Sequence, residues 1–381
     1  MIWEIRMKII IYGLGKGAEE CEKKLRNTQD IIGYTDSFSD FKAYHGKPFI
    51  CLENISKEKF DYVVVTLNEL TAIEKVCTLL IQKYSISPNK IILFWYLQNH
   101  ERYRYKLKKY SLEKVEGLLF GNSHAMFGFL EDRMKYPAIN FAVPSQDLYY
   151  DNIILQDCIT NYGDQFGNLK YIVIDLYDYN YFNIDVSKGK NFGGYLSWGG
   201  VMAHHNKDPY SYACGCIINI DDPAVKRLFA EIGDYVGIDW HENDRWEHIT
   251  DEEPLSLEVL TGKSAIEEYR ETIEENMLIF DQMLSSITRW NPNLKIFLTL
   301  CPRFITMERE ERKLDVWKKR KEQFIEIINT AINKYGIYYF DFKDREEISE
   351  NCYLWKDICH LNTIGAGALT EILNSEIEKN I

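Results

Sequence analysis

The chain has 381 residues and a formal net charge of −13, with 46% hydrophobic and 27% charged residues. Its length predicts two globular units, and its composition is that of a folded protein rather than a disordered one. The excess of acidic residues argues against nucleic acid or an anionic membrane as partner, because binding to either depends on clustered lysine and arginine. No apolar run reaches the roughly 20 residues of a membrane span, so we expect a cytoplasmic protein without membrane insertion.

The first predicted unit, residues 1–98, begins with a β-branched strand at Ile9–Tyr12, followed by glycines and a helix to about Arg26. Further strands and one helix follow in alternation, which predicts a doubly wound parallel sheet. These elements are strands at Ile31–Thr35, Tyr62–Thr66 and Ile91–Trp95 and a helix at Leu70–Lys83.

Residues 99–114 read as a linker or connecting helix, and a second alternation of strands and helices covers residues 115–381. It also predicts a doubly wound parallel sheet, interrupted by a long insertion at about 180–264 that carries little regular periodicity. The predicted strands are Gly117–Phe120, Ala138–Val143, Tyr171–Leu176, Lys295–Leu300 and Ile337–Phe342, and the helices are Leu148–Tyr162, Glu268–Arg289 and Leu314–Lys334.

A candidate nucleophile, Ser123, follows the first strand of the second unit within Gly121-Asn122-Ser123-His124. It would lie at the carboxyl end of a strand and the amino end of a helix, where ligands bind in open α/β sheets. Serine needs a neighbouring base for nucleophilic attack, normally a histidine oriented by a carboxylate. Asp357 and His360 lie together in one loop after the last strand, and we expect them to serve Ser123.

These two segments resemble the SGNH/GDSL hydrolase superfamily over residues 115–381. Gly121-Asn122-Ser123 matches the first family motif, with Asn in place of Asp, and Asp357 to Asn362 matches the last one, Asp-x-x-His followed by Leu-Asn. The resemblance implies a flavodoxin-like three-layer α/β/α domain with a Ser-His-Asp triad. It also implies a serine esterase or O-acyltransferase acting on an acylated sugar or glycan precursor.

The resemblance also implies an oxyanion hole, but the expected asparagine donor after the third strand is replaced by Tyr177. The remaining candidates are the Ser123 N–H, a donor near Ser145 or Gln146 in place of the family's glycine, and either Asn180 or the Tyr177 hydroxyl. Losing one such donor typically costs about 10²–10³ in rate. The alternative is therefore a weak or inactive domain that binds a sugar without catalysis.

Both motifs also have a purely structural interpretation. A serine after a strand is commonly a helix N-cap, and Asp-x-x-His can be a capping loop. His124, beside the nucleophile, is either a substrate contact or a buried structural residue.

The long insertion contains aromatic residues and histidines that suit sugar recognition, with Trp198, His204 and His205 as candidates. We expect no metal site. The acidic, histidine-containing stretch that includes His241, Asp244 and His248 follows no ligand spacing we can assign, and the Cys214 and Cys216 pair lacks a second pair. The nine cysteines of the chain are scattered and mostly within apolar runs, which favours reduced thiols.

The first unit carries Gly13, Gly15 and Gly17 after its first strand and Asp36 after its second, a loose dinucleotide-binding fingerprint. It resembles the Rossmann-like domains that precede catalytic domains in bacterial surface-glycan biosynthesis proteins. That resemblance implies a nucleotide or nucleotide sugar as ligand, while the alternative is that the glycines serve packing alone. A hydride-transfer enzyme is disfavoured, because the unit offers few groups for acid–base chemistry. No cofactor is required for the expected acyl chemistry, and the oligomeric state stays open.

Overall fold

The computed structural model of the protein describes residues 6–38, 42–94, 102–189, 191–201, 203, 205–206, 223–232 and 269–381. The chain divides into two compact units, Met1–Arg102 with Lys190–Val236, and Tyr103–Gly189 with Gly237–Ile381. The boundary at residues 102–103 falls inside the expected linker. Residues 190–236 group with the first unit, so the expected insertion is shared between the two.

The first unit is built on a parallel sheet, as its alternating sequence predicts. Its strands are β1 (Lys8–Tyr12), β2 (Asp30–Thr35), β3 (Ala43–Tyr44), β4 (Lys47–Pro48), β5 (Tyr62–Val65) and β6 (Ile91–Leu93). Its helices are α1 (Lys16–Leu25) and α2 (Leu70–Thr78), which continues as a π-helical turn at Leu79–Lys83. The parallel sheet has the order β2-β1-β5-β6, and β3 and β4 form a separate antiparallel pair. This short pair was not predicted from the sequence.

The second unit contains a five-stranded parallel sheet. Its strands are β7 (Gly117–Phe120), β8 (Ala138–Asn140), β9 (Tyr171–Asp175), β10 (Lys295–Leu300) and β11 (Tyr338–Asp341), in the order β11-β10-β9-β7-β8. Because β8 is added on one side of β7 and β9 on the other, the order in which strands are added to the sheet reverses beside β7. Ligands bind at such switch points in doubly wound sheets.

Helices also occur along the chain from residue 102 onwards. They are α3 (Arg102–Lys109), α4 (Ser123–Gly128), α5 (Leu148–Tyr162), α6 (Phe192–Ser197), α7 (Pro223–Ile232), α8 (Arg270–Trp290), α9 (Ile305–Glu311), α10 (Asp315–Tyr335), α11 (Glu346–Ser349) and α12 (Thr363–Asn380). None of the described helices is both long enough and apolar enough to cross a bilayer.

One predicted strand was too long. β8 was expected to reach Val143 but ends at Asn140, whose side-chain oxygen accepts a hydrogen bond from the Ala142 N–H and turns the chain out of the sheet. The insertion shows little regular periodicity in its sequence, yet α6 and α7 lie within it, and α7 begins at Pro223, a residue favoured in the first helical turn.

The sheets are buried, as continuous apolar strands require. Ile9, Ile10 and Ile11 of β1 and Ile172, Val173 and Ile174 of β9 are fully buried. The described cysteines form no disulfide, and Cys21, Cys77, Cys158 and Cys301 are buried.

Candidate active site

Ser123 lies directly after the turn that ends β7. Gly121 in this turn has a φ of 140°, a left-handed conformation that glycine adopts without steric cost. The side chain of Asn122 then caps α4 by accepting a hydrogen bond from the His124 N–H, and the helix begins at Ser123. The turn therefore leaves the partly exposed Ser123 at the carboxyl edge of the sheet.

The turn before Ser123 is held by the segment that follows β8. Asp151 accepts a hydrogen bond from the Gly121 N–H at 3.2 Å, and the Gln146 side-chain amide donates to the Gly121 carbonyl at 3.2 Å. Gln146 also donates to Asp151 at 2.6 Å. Burial raises the pKa of the Asp151 carboxyl to about 8. Asp151 was not predicted from the sequence, because it has no motif of its own and contacts the site only through the fold.

The loop that carries His360 is fixed by its own side chains. Asp357 accepts hydrogen bonds from the backbone N–H groups of Cys359 and His360 at 2.8 and 2.7 Å, an arrangement typical of aspartate in turns. Trp355, fully buried, anchors the start of the loop by donating to the Ile348 carbonyl, and Asn362 caps α12 at its end. The Asp-x-x-His spacing thus brings the carboxylate and the imidazole together locally.

Ser123, His360 and Asp357 form a hydrogen-bonded chain. His360 Nε2 lies 2.9 Å from Ser123 Oγ, and His360 Nδ1 lies 2.9 Å from Asp357 Oδ2. An ionised carboxylate can only accept, so the proton is on Nδ1, and Nε2 is free to accept from the serine hydroxyl. Burial opposes the charge on Asp357, but the hydrogen bonds from His360 and Cys359 outweigh it and lower the pKa of this carboxyl.

His124 is buried beside this hydrogen-bonded chain. Its ring centroid lies 4.9 Å from that of His360 and 4.2 Å from that of Tyr177. Burial lowers its pKa well below the usual range, and the proximity of His360 and of the Arg303 guanidinium acts in the same direction. His124 is therefore a neutral ring packed against His360, with 8% of its surface exposed.

Tyr177 stands at the sequence position of the expected asparagine donor, but its backbone N–H is directed at Asp175. It has a φ of 59°, a conformation uncommon for a residue with a side chain, and its N–H donates to Asp175 at 3.0 Å. Its ring packs between His124 and the guanidinium of Arg303, which lies 5.4 Å from the ring centroid. Strained backbone conformations of this kind persist only where the surrounding structure holds them, and they are found most often at functional sites.

The guanidinium that packs on Tyr177 belongs to a buried cluster of charged side chains. Arg303 pairs with Asp178 at 3.0 Å and with Glu308 at 2.7 Å, and Lys343 pairs with Glu308 at 3.1 Å. Arg303 also pairs with Glu311. Burial opposes the charge on Asp178, but Lys343 and Arg303 outweigh it and lower its pKa to about 2. Breaking such a cluster by removing one partner is costly, since it leaves an uncompensated buried charge.

Three of the five predicted oxyanion donors are engaged in other hydrogen bonds. The N–H of Tyr177 donates to Asp175, that of Asn180 to Asp178, and that of Gln146 to the Val143 carbonyl. The Gln146 side-chain amide is also engaged, and the Tyr177 hydroxyl lies 3.5 Å from Arg303 as an acceptor. A paired N–H is not available to an oxyanion, so these backbone N–H groups and the Gln146 amide are excluded, while the Asn180 side chain and the Tyr177 hydroxyl stay predictions.

The backbone N–H groups of Ser123 and Ser145 have no acceptor within the described part of the chain. Ser145 has a φ of 63°, a conformation that favours glycine, at the position where the family resemblance places one. Its neighbour Gln146 contacts Gly121 directly, so both N–H groups lie in segments that meet beside Ser123.

The other predicted substrate contacts lie outside the second unit or outside the described residues. Trp198 and His205 belong to the first unit. His204, His241, Asp244 and His248 lie outside the described residues, as do Cys214 and Cys216. Their predicted roles stay predictions.

In the glycine-rich turn of the first unit, packing explains the glycine at one position but not at another. Gly13 has a φ of 108°, and a Cβ there would lie 2.7 Å from Thr66 Oγ1, so this glycine is required for packing. Gly15 precedes α1 with no atom near a Cβ position, and Gly17 is buried in the helix. Asp36 accepts a hydrogen bond from the Phe38 N–H. A nucleotide at this turn stays a prediction.

Comparison with known proteins adds one family match. Residues 5–92 match the family model described as C2185-like, N-terminal. No curated protein matches the chain. A solved structure described as "a putative platelet activating factor from Streptococcus pneumonia" is similar at 13% identity, covering 74% of this chain and 94% of that one, with a TM-score of 0.37. A likeness this weak supports no conclusion about fold or function.

Proposed function

We propose that the second unit is an SGNH-type serine esterase or O-acyltransferase that acts on an acylated sugar or glycan precursor. The observation that carries this proposal is the hydrogen-bonded chain from Ser123 Oγ through His360 to Asp357, with both links at 2.9 Å. Its geometry suits a nucleophile, a base and an orienting acid. The choice of an acylated sugar or glycan precursor comes from the family resemblance.

In the proposed reaction, Ser123 Oγ attacks the acyl carbonyl carbon while its proton passes to His360 Nε2. Asp357 stabilises the resulting imidazolium through Nδ1–H. The free N–H groups of Ser123 and Ser145 would donate to the carbonyl oxygen as it gains negative charge. The tetrahedral intermediate then expels the alcohol, which takes the proton from His360, and leaves an acyl-enzyme on Ser123.

The second half of the reaction decides between the two enzyme classes. His360 would accept a proton from water or from an acceptor hydroxyl, whose oxygen attacks the acyl carbon; the Ser123 Oγ–carbon bond then breaks and Oγ takes the proton back from His360 Nε2. Water gives a carboxylic acid, and an alcohol gives a new ester. Both routes use the same three residues, so the outcome depends on which nucleophile reaches the ester.

Incubation with p-nitrophenyl acetate tests the proposal. We expect a burst of p-nitrophenol, followed by turnover that candidate sugar acceptors accelerate if the protein is a transferase. Ser123→Ala should abolish the burst. An equal rate in the wild type and Ser123→Ala, with no acyl-enzyme in either, would refute the proposal.

One observation favours a second candidate, a binding protein of a glycan pathway without catalysis. Tyr177 stands where the family resemblance places an oxyanion donor, and its N–H is engaged by Asp175. The first unit would then sense a nucleotide sugar. Calorimetric titration with nucleotide sugars and NAD tests this candidate, and no heat with any of them would leave it without a ligand.

A further inference from the structure

Asn122 directly precedes Ser123, and its side-chain amide has an oxygen that can accept and an NH₂ group that can donate hydrogen bonds. Its Oδ1 accepts a hydrogen bond from the His124 backbone N–H at 3.0 Å and lies 3.1 Å from His124 Nδ1. A backbone N–H can only donate, so the atom facing it must be the oxygen of the amide. The NH₂ group of Asn122 therefore points away from His124.

This NH₂ group has no acceptor among the residues that the structure describes. Asn122 is 7% exposed, and a buried amide that is left unpaired typically costs about 1–3 kcal/mol. Nδ2 of Asn122, in contrast to His124 Nε2, is not among the described atoms that are both unpaired and sealed from solvent. The residue before Ser123 is thus mostly buried and has an NH₂ donor without a described acceptor.

We propose that the Asn122 NH₂ group is a catalytic donor that binds the acyl oxygen of the substrate as Ser123 attacks it. This inference rests on the proposed function of Ser123. It adds a donor to a site where the family resemblance expects an asparagine and the chain has Tyr177, whose N–H is engaged by Asp175. The acyl oxygen would then receive hydrogen bonds from Asn122, Ser123 and Ser145, and donors fixed before the reaction stabilise developing charge most effectively.

Capping alone does not explain an asparagine at this position. Aspartate and serine cap helices about as well as asparagine does. Only asparagine combines the capping oxygen with an NH₂ donor. The two explanations therefore predict opposite results for one isosteric substitution.

The test is Asn122→Asp, with Asn122→Ser as a second variant that keeps a capping oxygen and adds no charge. We expect both to fold with an unchanged circular dichroism spectrum. The kcat for p-nitrophenyl acetate should fall by about 10²–10³ with KM changed little, which is the loss typical of one oxyanion donor. A role confined to capping would leave kcat near the wild-type value.

The outcomes separate the two proposals. If the wild type forms no acyl-enzyme, the proposed function fails first. If the wild type forms one and Asn122→Asp has the wild-type kcat, the role of Asn122 is wrong and the function of Ser123 stands. Loss in Asn122→Asp with full activity in Asn122→Ser would also overturn the inference, because the effect would then come from the added charge.

Discussion

The two units share a strand–glycine–helix turn, called the corner below, but the side chains around the two corners differ. In each, a parallel strand ends at a glycine with positive φ, Gly13 after β1 and Gly121 after β7, and a helix follows. Each first strand lies between the next two of its parallel sheet, so both corners stand at a switch point.

The side chains around the two corners differ. At the first, Gly15 precedes the helix and offers no capping side chain, and the space beside Gly13 is filled by the Thr66 hydroxyl, which donates to the Tyr12 carbonyl. At the second, Asn122 caps the helix and Ser123 begins it. A shared fold therefore supplies the corner, and the reactive side chains decide what it can do.

The largest expected effect is the loss of esterase activity when the side chains proposed to react at the second corner are replaced. Ser123→Ala should reduce acyl-enzyme formation to background, and Asp357→Asn should lower kcat by about 10⁴, as loss of the orienting carboxylate does in serine proteases. Ser375→Ala, an exposed serine on α12, is the control and should keep wild-type activity. Esterase assays on all three variants check this, and an active Ser123→Ala would contradict it.

A second prediction compares the two glycines directly. A Cβ at Gly121 would lie 3.0 Å from the Cβ of Asp175, and one at Gly13 would lie 2.7 Å from Thr66 Oγ1. Both Gly→Ala variants should lose about 1–3 kcal/mol of unfolding free energy, because each combines a close contact with strained backbone. Urea denaturation measures this loss.

Only Gly121→Ala should also reduce esterase activity, by roughly 10²-fold, since a small displacement of a nucleophile is costly. Equal activity losses in the two glycine variants would remove the distinction between the corners.

The sequence predicted the parts of this arrangement that depend on local pattern. The strands follow from continuous apolar runs, and the pairing of Asp357 with His360 follows from a turn that the aspartate itself closes. The approach of Ser123 to His360, 237 residues apart, was predicted from the order of the two motifs and is a product of the parallel topology.

The oxyanion donors could not be predicted because they depend on which N–H groups remain unpaired. One signal was present: Asp175 precedes Tyr177 by two residues, and Asp178 precedes Asn180 by two. Aspartate commonly accepts from the N–H two residues ahead, so both N–H groups are taken locally. Asn122 was missed because its free NH₂ group is evident only once its oxygen is placed.

A third prediction concerns pH. The folded pKa of Asp151 is about 8, above the ordinary value of about 4, so the folded state keeps a proton that the unfolded state releases between these values. Its contribution to stability is complete below about pH 4 and declines as the pH rises to 8. Asp151→Asn carries no charge and should be more stable than the wild type at pH 8, by roughly 1–3 kcal/mol.

Thermal melts at pH 5 and pH 8 check this, and the advantage of Asp151→Asn should shrink at the lower pH. Asp164→Asn, an exposed carboxyl in the turn after α5, is the matched control and should show no such trend. A constant difference between wild type and Asp151→Asn across this range would argue against a buried, protonated Asp151.

The smallest expected effect concerns Ser145. Its φ of 63° disfavours any side chain, so Ser145→Gly should raise the unfolding free energy by up to about 1 kcal/mol. The backbone N–H is retained, and kcat should therefore stay within a few-fold of the wild type. A large loss of kcat would indicate that the Ser145 hydroxyl, rather than its N–H, contacts the substrate.

The most direct test of the central claim is peptide mapping by mass spectrometry after brief reaction with p-nitrophenyl acetate. We expect one acetyl group on the peptide that contains Ser123, absent from Ser123→Ala and strongly reduced in His360→Ala. Acetylation elsewhere that is equal in wild type and Ser123→Ala, with none on Ser123, would contradict the assignment of Ser123 as the nucleophile.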